Sequence, residues 1–326
     1  MNEAATRFVR PVGRQAVERL SGAFDDIVPW AGPVEADRLR SFMGGLFPAD
    51  VRSGAPSGNV ETRRPDLSDG EGFAEWYSIL KAIERARDRF TMVSLGAHYG
   101  GLMVDAVCML RARSPMPYRL IGVEADPYMC ALVHEHFAEN DIPESALTLI
   151  NAAIAADNKP VLFPVAPTRT GAARALTQPS DIKTVFQHIF EGGHAEKVLA
   201  GLLTEGKSAV FQNLSGTDVN AELRLSSAVT LADVIGPLDR VDYLEIDIQS
   251  SELQVLPPFI DLLRSRVGWI HLGTHGVDLH RTMAAFFRGH GFDIHIDWEP
   301  NSTYSSPDGI LSTGDGVLAM ANAGLD

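Results

Sequence analysis

Cysteine is nearly absent: the 326 residues hold two, Cys108 and Cys130, each in an apolar, helix-like run and with no C-x-x-C pair between them. That argues against a disulfide framework or a zinc knuckle and predicts reduced thiols. Long apolar runs are missing too. None approaches the ~20 residues a membrane helix needs, and the opening "MNEAATRFVRPVGRQ" has no apolar signal core, so a soluble, cytoplasmic protein without a membrane partner is expected. Basic residues are in deficit, 28 Lys plus Arg against 42 Asp plus Glu, a net charge of −14. An acidic surface repels phosphate backbones, and the short mixed run "RARDRF" is a solvated helix face, so no nucleic-acid partner is expected. Internal repeats are absent. The dinucleotide fingerprint G-x-G-x-x-G is absent as well, because Gly96 is followed by Ala97 and His98.

What is present is a sufficient core, 45% hydrophobic residues, and a repeating pattern. "FTMVSLGA", "YRLIGVEA" and "LTLINAAIA" are apolar strand-like runs, and "LMVDAVCMLRAR" and "PYMCALVHEHFAEN" between them have helical spacing. The second helix has Asp126 as N-cap and Pro127 at its first position. After an irregular middle the alternation resumes. "VDYLEIDI" and "VGWIHLGTH" are strands, "SSELQVLPPFIDLLRSR" is a helix broken at Pro257-Pro258, and "DLHRTMAAFFRGH" is a helix. "FDIHIDWE" and "GVLAMAN" are the last two strands. Continuous apolar strands separated by amphipathic helices predict an α/β, Rossmann-like, doubly wound parallel sheet covered on both faces. "GFAEWYSILKAIERAR" places Phe73, Trp76, Ile79, Leu80 and Ile83 at helical spacing, a helix laid on that sheet. Before it, residues 1–70 form a separate N-terminal helical or lid segment. "RQAVERLSGAFDDIV" and "EADRLRSFMGGLF" have helical periodicity, and a Pro/Gly/Ser-rich linker follows. Residues 71–326 form the main domain, with an insert at about 166–229. Within it "KPVLFPVA" is a further extended piece and "DIKTVFQHIFEGGHAEKVLAGLLTEG" is helical with a break at Gly192-Gly193.

In an open α/β sheet, ligands bind at the carboxyl ends of strands. The turn after the first strand holds Gly96, Gly100 and Gly101, which let the backbone approach a ligand while the next helix offers free N–H donors. The next strand ends in "GVEADP", where Glu124 can accept hydrogen bonds from both hydroxyls of a ribose. A helix cap or solvent contact is the plain alternative for Glu124. Turn and acid together imply a ribose-bearing ligand that needs no pyrophosphate cradle, which S-adenosylmethionine satisfies.

The blocks "VSLGAHYGG", "IGVEADP", "LINAAIA", "TLADVI", "VDYLEIDIQSSELQVL" and "WIHLGTHG", in this order over residues 76–292, resemble FkbM-type methyltransferases of the class I, S-adenosylmethionine-dependent superfamily. The resemblance implies a seven-stranded sheet with an antiparallel last strand and methyl transfer to a small-molecule hydroxyl, often in saccharide or natural product biosynthesis. It implies Gly96 and Gly100 beneath the cofactor's methionine portion, Glu124 at the ribose, and Ala125 and Asp126 along the adenosine; Ala97 and His98 are counted as cofactor contacts in the same turn, although His98 stands where the family often has a small residue and can touch the cofactor carboxylate or the acceptor. It also implies Asn151 and Ala152 near the adenine and Asp247 closing the fourth strand. The family pattern K-I-D-x-E-G-x-E is altered here: Glu245 stands in place of lysine, Gln249 in place of the second acid, and Ser250 in place of glycine, while Asp247 and Glu252 are kept.

A hydroxyl acceptor needs a base or a metal to take its proton. His275, closing the fifth strand, is the first candidate base and His98 the second, and Asp247 is also counted as catalytic. His271 is expected inside its strand, and the remaining histidines are expected on helices and loops as packing or surface residues. Glu245, Asp247 and Glu252 have the oxygen chemistry for Mg2+, but Asp247 can hold the acceptor or the cofactor amine without an ion, and no metal site is assigned. His295, Asp297 and Glu299 alternate on one strand face and are read as its solvated side rather than a metal or sugar site. The 1–70 segment and the insert are the candidate lids or homo-oligomer contacts. Two other functions stay open: a nicotinamide-dependent oxidoreductase on a similar sheet, and a non-catalytic cofactor-binding protein, the latter motivated by Gln249 and Ser250.

Overall fold

The computed structural model describes residues 9–49, 58–165, 208–212, 218–249 and 251–325. Its centre is a seven-stranded sheet: β1 Phe90–Leu95, β2 Tyr118–Glu124, β3 Leu147–Asn151, β4 Val241–Ile246, β5 Val267–Thr274, β6 Phe292–Trp298 and β7 Gly316–Asn322. The spatial order is β6-β7-β5-β4-β1-β2-β3. β1 to β5 run parallel, and β7 runs antiparallel to both β5 and β6. This order, with its reversed seventh strand, is the class I methyltransferase fold expected from the sequence. The order turns between β1 and β4, so the carboxyl ends of those two strands flank a crevice.

Every residue of β1, β4, β5 and β7 is buried, as strands covered on both faces must be. Alternation then divides them between two cores. Phe90, Met92, Tyr243, Trp269, Val317 and Ala319 face one side, and Val93, Leu95, Leu244, Ile246, Leu272 and Met320 face the other. Helix α1, Glu71–Arg85, lies on the first side and buries Phe73, Trp76, Tyr77, Ile79, Leu80 and Ile83. Helices α2, Gly101–Arg113, and α3, Pro127–Glu139, follow β1 and β2. Asp126 caps α3 by accepting from Tyr128 N–H at 2.8 Å. On the other side lie α4, Leu231–Ile235, α5, Ile260–Arg266, and α6, Val277–Gly289. The proline pair interrupts the run into α5 as a 3-10 turn, Pro257–Phe259.

The N-terminal segment differs from its expected helical character. Its one described helix is Arg14–Leu20. The stretch 35–47, "EADRLRSFMGGLF", read as helical from its periodicity, forms a β-hairpin pairing Arg38–Arg40 with Leu46–Pro48. The reason lies in its two glycines. Gly44 has φ +89, and a Cβ there would sit 2.4 Å from Trp30 Cδ1, so the chain turns tightly around an indole instead of continuing a helix. Ala31–Val34 pairs with Gly58–Glu61, and Val9–Pro11 adds in parallel to Thr303–Ser306. Leu20, Phe24, Phe42 and Phe47 join the α1 core, where Phe24 meets Phe73 edge-on at 5.5 Å and Phe42 meets Trp76 at 5.3 Å.

The further extended piece, Val161–Val165, is a strand outside the main sheet, paired antiparallel with Asp218–Ser226, which also pairs with Ser208–Gln212. The expected helix at 181–206 lies outside the described residues. Among the described residues no helix is long and apolar enough to cross a membrane.

Candidate functional site

The turn after β1 is held from two directions. Gly96 has φ +82, and a Cβ on it would lie 2.0 Å from the Asp247 carbonyl oxygen, so the β1 and β4 turns touch through a bare peptide. His98 sits at φ +49, left-handed backbone that histidine tolerates better than most side chains. Its N–H donates to Glu124 Oε2 at 2.7 Å, and Asp126 N–H donates to Glu124 Oε1 at 2.8 Å. Burial pushes the Glu124 carboxyl up to about 7 against the pull of those two amides. A carboxylate has about four acceptor positions, so two remain for ribose hydroxyls. The residues fit a nucleoside in this respect: a buried acid at the end of β2 beside a glycine cradle that a single methyl group would fill.

The other adenosine-side candidates take supporting parts. Asn151 Nδ2 donates to the carbonyls of Glu124 at 2.9 Å and Ala125 at 3.2 Å, and Ala152 N–H donates to Glu124 O at 3.1 Å. They fix the loop that aims Glu124. Gly100, at φ +79, opens α2 as its N-cap.

A cavity of about 130 Å³ lies where β1, β4 and β5 end beneath α1, and Gly96, Ala97, His98 and Asp247 line it. Glu124, Ala125, Asp126, Asn151 and Ala152 lie beside it rather than in its wall. The sheet register explains part of the lining. Ser94, Glu245 and His271 stand in one cross-strand row, with Ser94 Oγ donating to Glu245 and Ser78 of α1 bonded to His271 Nδ1 at 3.0 Å. Burial raises Glu245 well above the usual carboxylate range, so it is held neutral. Burial pushes His271 down to about 4, neutral as well. Glu71 and Glu75, one turn apart on α1, complete the acidic wall. Glu71 is pushed up to about 8 by burial and by Glu75, Asp315 and Asp247.

His275 stands beside Asp247. Its Nε2 lies 3.4 Å from Asp247 Oδ1 and 3.7 Å from Asp315 Oδ2, and its Nδ1 lies 3.7 Å from Glu252 Oε1. Gln249 bridges the pair: its Nε2 donates to Asp247 Oδ1 at 2.9 Å and reaches His275 Nε2 at 2.8 Å. Burial opposes charge on this imidazole, but Glu252, Asp247 and Asp315 outweigh it and the net shift is upward. The structure thus brings together His275, Asp247 and Gln249, the last in left-handed backbone at φ +53. The Gln249 amide joins base and acid without a further charge. Glu71, Glu75, His271 and Asp315 belong to the same neighbourhood and were not assigned to the site from sequence. The i, i+4 acid pair opening an otherwise apolar helix was the available signal.

The His295, Asp297 and Glu299 row is consumed by local pairs. Asp297 binds His280 at 2.8 Å and also Arg288, Glu299 binds Arg281 at 2.7 Å and Arg10, and His295 meets Tyr77 Oη at 2.9 Å. Among the described residues no group of three or more His, Cys, Asp or Glu is arranged to hold a metal ion.

No known family profile matches the chain. A protein of Jannaschia sp. (strain CCS1), provisionally named a methyltransferase, is 24% identical over 226 residues, 69% of this chain and 70% of that one. Among solved structures, a precorrin-6y C5,15-methyltransferase from Geobacter metallireducens GS-15 overlaps 79% of this chain and 92% of its own at 12% identity, with a TM-score of 0.37. An FkbM methyltransferase from Methylobacillus flagellatus KT overlaps 79% of this chain and 55% of its own at 11% identity and a TM-score of 0.40. A SAM-dependent methyltransferase from Agrobacterium tumefaciens overlaps 90% and 70% at 10% identity and a TM-score of 0.37. Superpositions this loose carry no functional argument. The strand order, reversed seventh strand and crevice at the β1–β4 turn are what establish the class I methyltransferase fold of this chain.

Proposed function

We propose that the protein is an S-adenosylmethionine-dependent methyltransferase of FkbM type, acting in the cytoplasm on a hydroxyl of a small molecule such as a saccharide or natural product. The observation that carries the reading is Glu124, a buried carboxylate at the end of β2 tied to the glycine turn of β1. The name of the Jannaschia relative and the FkbM-like blocks support it. Glu124 would hold the ribose hydroxyls, Gly96 and Ala97 would lie along the amino-acid tail, and Asp247 would meet its ammonium. Bound there, the cofactor would supply an electrophilic methyl group on a sulfonium sulfur for transfer to the acceptor oxygen. The acceptor hydroxyl would displace Gln249 Nε2 from His275 Nε2 and give that nitrogen its proton, with Asp247, Asp315 and Glu252 stabilising the imidazolium. Gln249 holds the imidazole against Asp247 and fixes the ring's orientation.

Titration calorimetry tests the cofactor site. S-adenosylhomocysteine should bind the folded protein and NAD should not. Glu124→Ala should weaken that binding by about 1–3 kcal/mol, the usual cost of a charged hydrogen-bond partner. Heat with NAD alone would replace this reading with the oxidoreductase, and binding without any transfer of labelled methyl to a broad acceptor panel would favour a non-catalytic protein.

A further inference from the structure

Two buried polar side chains that take no part in the proton transfer flank its base. Thr274, which closes β5, and His280, in the first turn of α6, are 0% and 1% exposed. Thr274 Oγ1 lies 2.8 Å from His280 Nδ1, and His280 Nε2 lies 2.8 Å from Asp297 Oδ1 of β6. Arg288 donates to the other Asp297 oxygen. Burial opposes charge on Asp297, but His280 and Arg288 outweigh it and hold its carboxyl below the usual range. An ionised carboxylate only accepts. The neutral His280 ring therefore carries its proton on Nε2, and its Nδ1 accepts from the Thr274 hydroxyl.

These contacts grip the His275 turn from both sides. Thr274 is the residue before His275. Gly276, the residue after it, sits at φ +153 and accepts from His280 N–H at 2.9 Å. A third contact reaches β7. Gly316 pairs with Thr274 across the sheet, and a Cβ on it would lie 2.4 Å from Thr274 Oγ1 and 2.8 Å from His280 Nδ1. Asp315, the residue before Gly316, is one of the carboxylates beside His275 Nε2.

We propose that Asp297, His280 and Thr274 form a hydrogen-bonded positioning relay that holds the His275 turn and the Asp315 carboxylate in one register. The inference rests on the reading of His275 as the methyl-transfer base. None of the three lines the cavity, so each acts through His275 rather than on a ligand. Loss of the Thr274 hydroxyl leaves His280 Nδ1 buried without a donor, which is costly enough to shift the ring or the strand end. A shifted turn carries His275 away from Asp247, Asp315 and Glu252, which now stand 3.4–3.7 Å from its nitrogens.

Proton NMR of the full protein, followed over about pH 5 to 9, reads the midpoint of His275, its ring signal assigned by its loss in His275→Ala. The groups facing that ring are Asp247, Asp315, Glu252, Gln249 and Glu71. Thr274→Val keeps the side-chain shape without the hydroxyl and should lower the midpoint by about 0.5 or more as the carboxylates recede. Thr274→Ser keeps the hydroxyl and should return the parent value. If Thr274→Val leaves the midpoint in place while the urea midpoint falls, the contact is packing alone and the proposal is overturned. Equal shifts in the valine and serine variants overturn it too. Should Thr274→Val not fold, His280→Gln, which can still donate to Asp297 but not meet Thr274, is read in the same way. Ring 15N shifts of the parent decide the relay's direction without any substitution: His280 should be protonated at Nε2 and bare at Nδ1 near neutral pH, and a proton on Nδ1 would overturn it. Should His275→Ala retain full methyl transfer, His275 is not the base, and the same midpoints still decide what holds its ring.

Discussion

His275 is a histidine among acids. Three carboxylates stand within 3.7 Å of its ring nitrogens, and their charge moves its pKa above the ordinary 6.5 despite burial. A base works in its deprotonated form, so kcat/KM should rise with pH through a midpoint above 6.5 and not below it. His275→Ala should lower kcat about 10²–10⁴-fold while S-adenosylhomocysteine affinity, read by calorimetry, stays near that of the parent. A fully active variant would remove His275 from the proton-transfer role. The residue was legible because it closes a strand on the ligand side. Its environment was not, because Glu252 follows in a different element, Asp315 comes from the start of β7, and neither proximity is visible in a linear chain.

At the scale of elements, strands and helices from β1 onward were readable because burial on both sheet faces leaves an apolar signature of six to eight residues that no surface segment imitates. The periodicity of "EADRLRSFMGGLF" misled for the opposite reason. Short strands packed on one side can place apolar residues at helical intervals, and only the tertiary contact with Trp30 shows why Gly44 forbids the helix. Gly44→Ala should therefore destabilise the protein by about 1–3 kcal/mol, since it adds left-handed backbone strain and places a Cβ 2.4 Å from the indole Cδ1 of Trp30. A urea midpoint unchanged by this substitution would refute the packing account. Of the site, the glycine turn, Glu124 and Asp247 were legible as local motifs. The α1 wall of Glu71 and Glu75 was hidden, because acids in a first helical turn ordinarily serve the helix dipole.

For the whole molecule, buried titratable groups set opposing pH dependences. Glu124, raised to about 7, and Glu71, raised to about 8, hold protons in the folded state that they release when unfolded above about 4.5. Their contribution to stability is present at low pH and is lost as pH rises through those values. His271 and His295, both lowered to about 4, behave oppositely. Their contribution is present above 6.5 and is lost as pH falls toward 4. Between pH 6.5 and 8 the acidic groups act, joined in the same direction by His275 with its raised pKa, and stability should fall by on the order of 1–3 kcal/mol, discounted for the partial exposure of Glu71. Thermal midpoints measured across pH 4 to 9 check this, and Glu71→Gln should flatten the alkaline side. A flat profile there in the parent protein would show that these acids are not held neutral in the fold.

The contact between Gly96 and the Asp247 carbonyl joins what a transfer reaction keeps apart. One loop leads through His98 to the sugar-binding acid, and the other leads through Gln249 to the imidazole. Both rest on a single pivot with no room for a methyl group. A wedge driven in at that pivot would splay donor and acceptor sides together, so neither can be retuned by drift at Gly96 without cost to its counterpart.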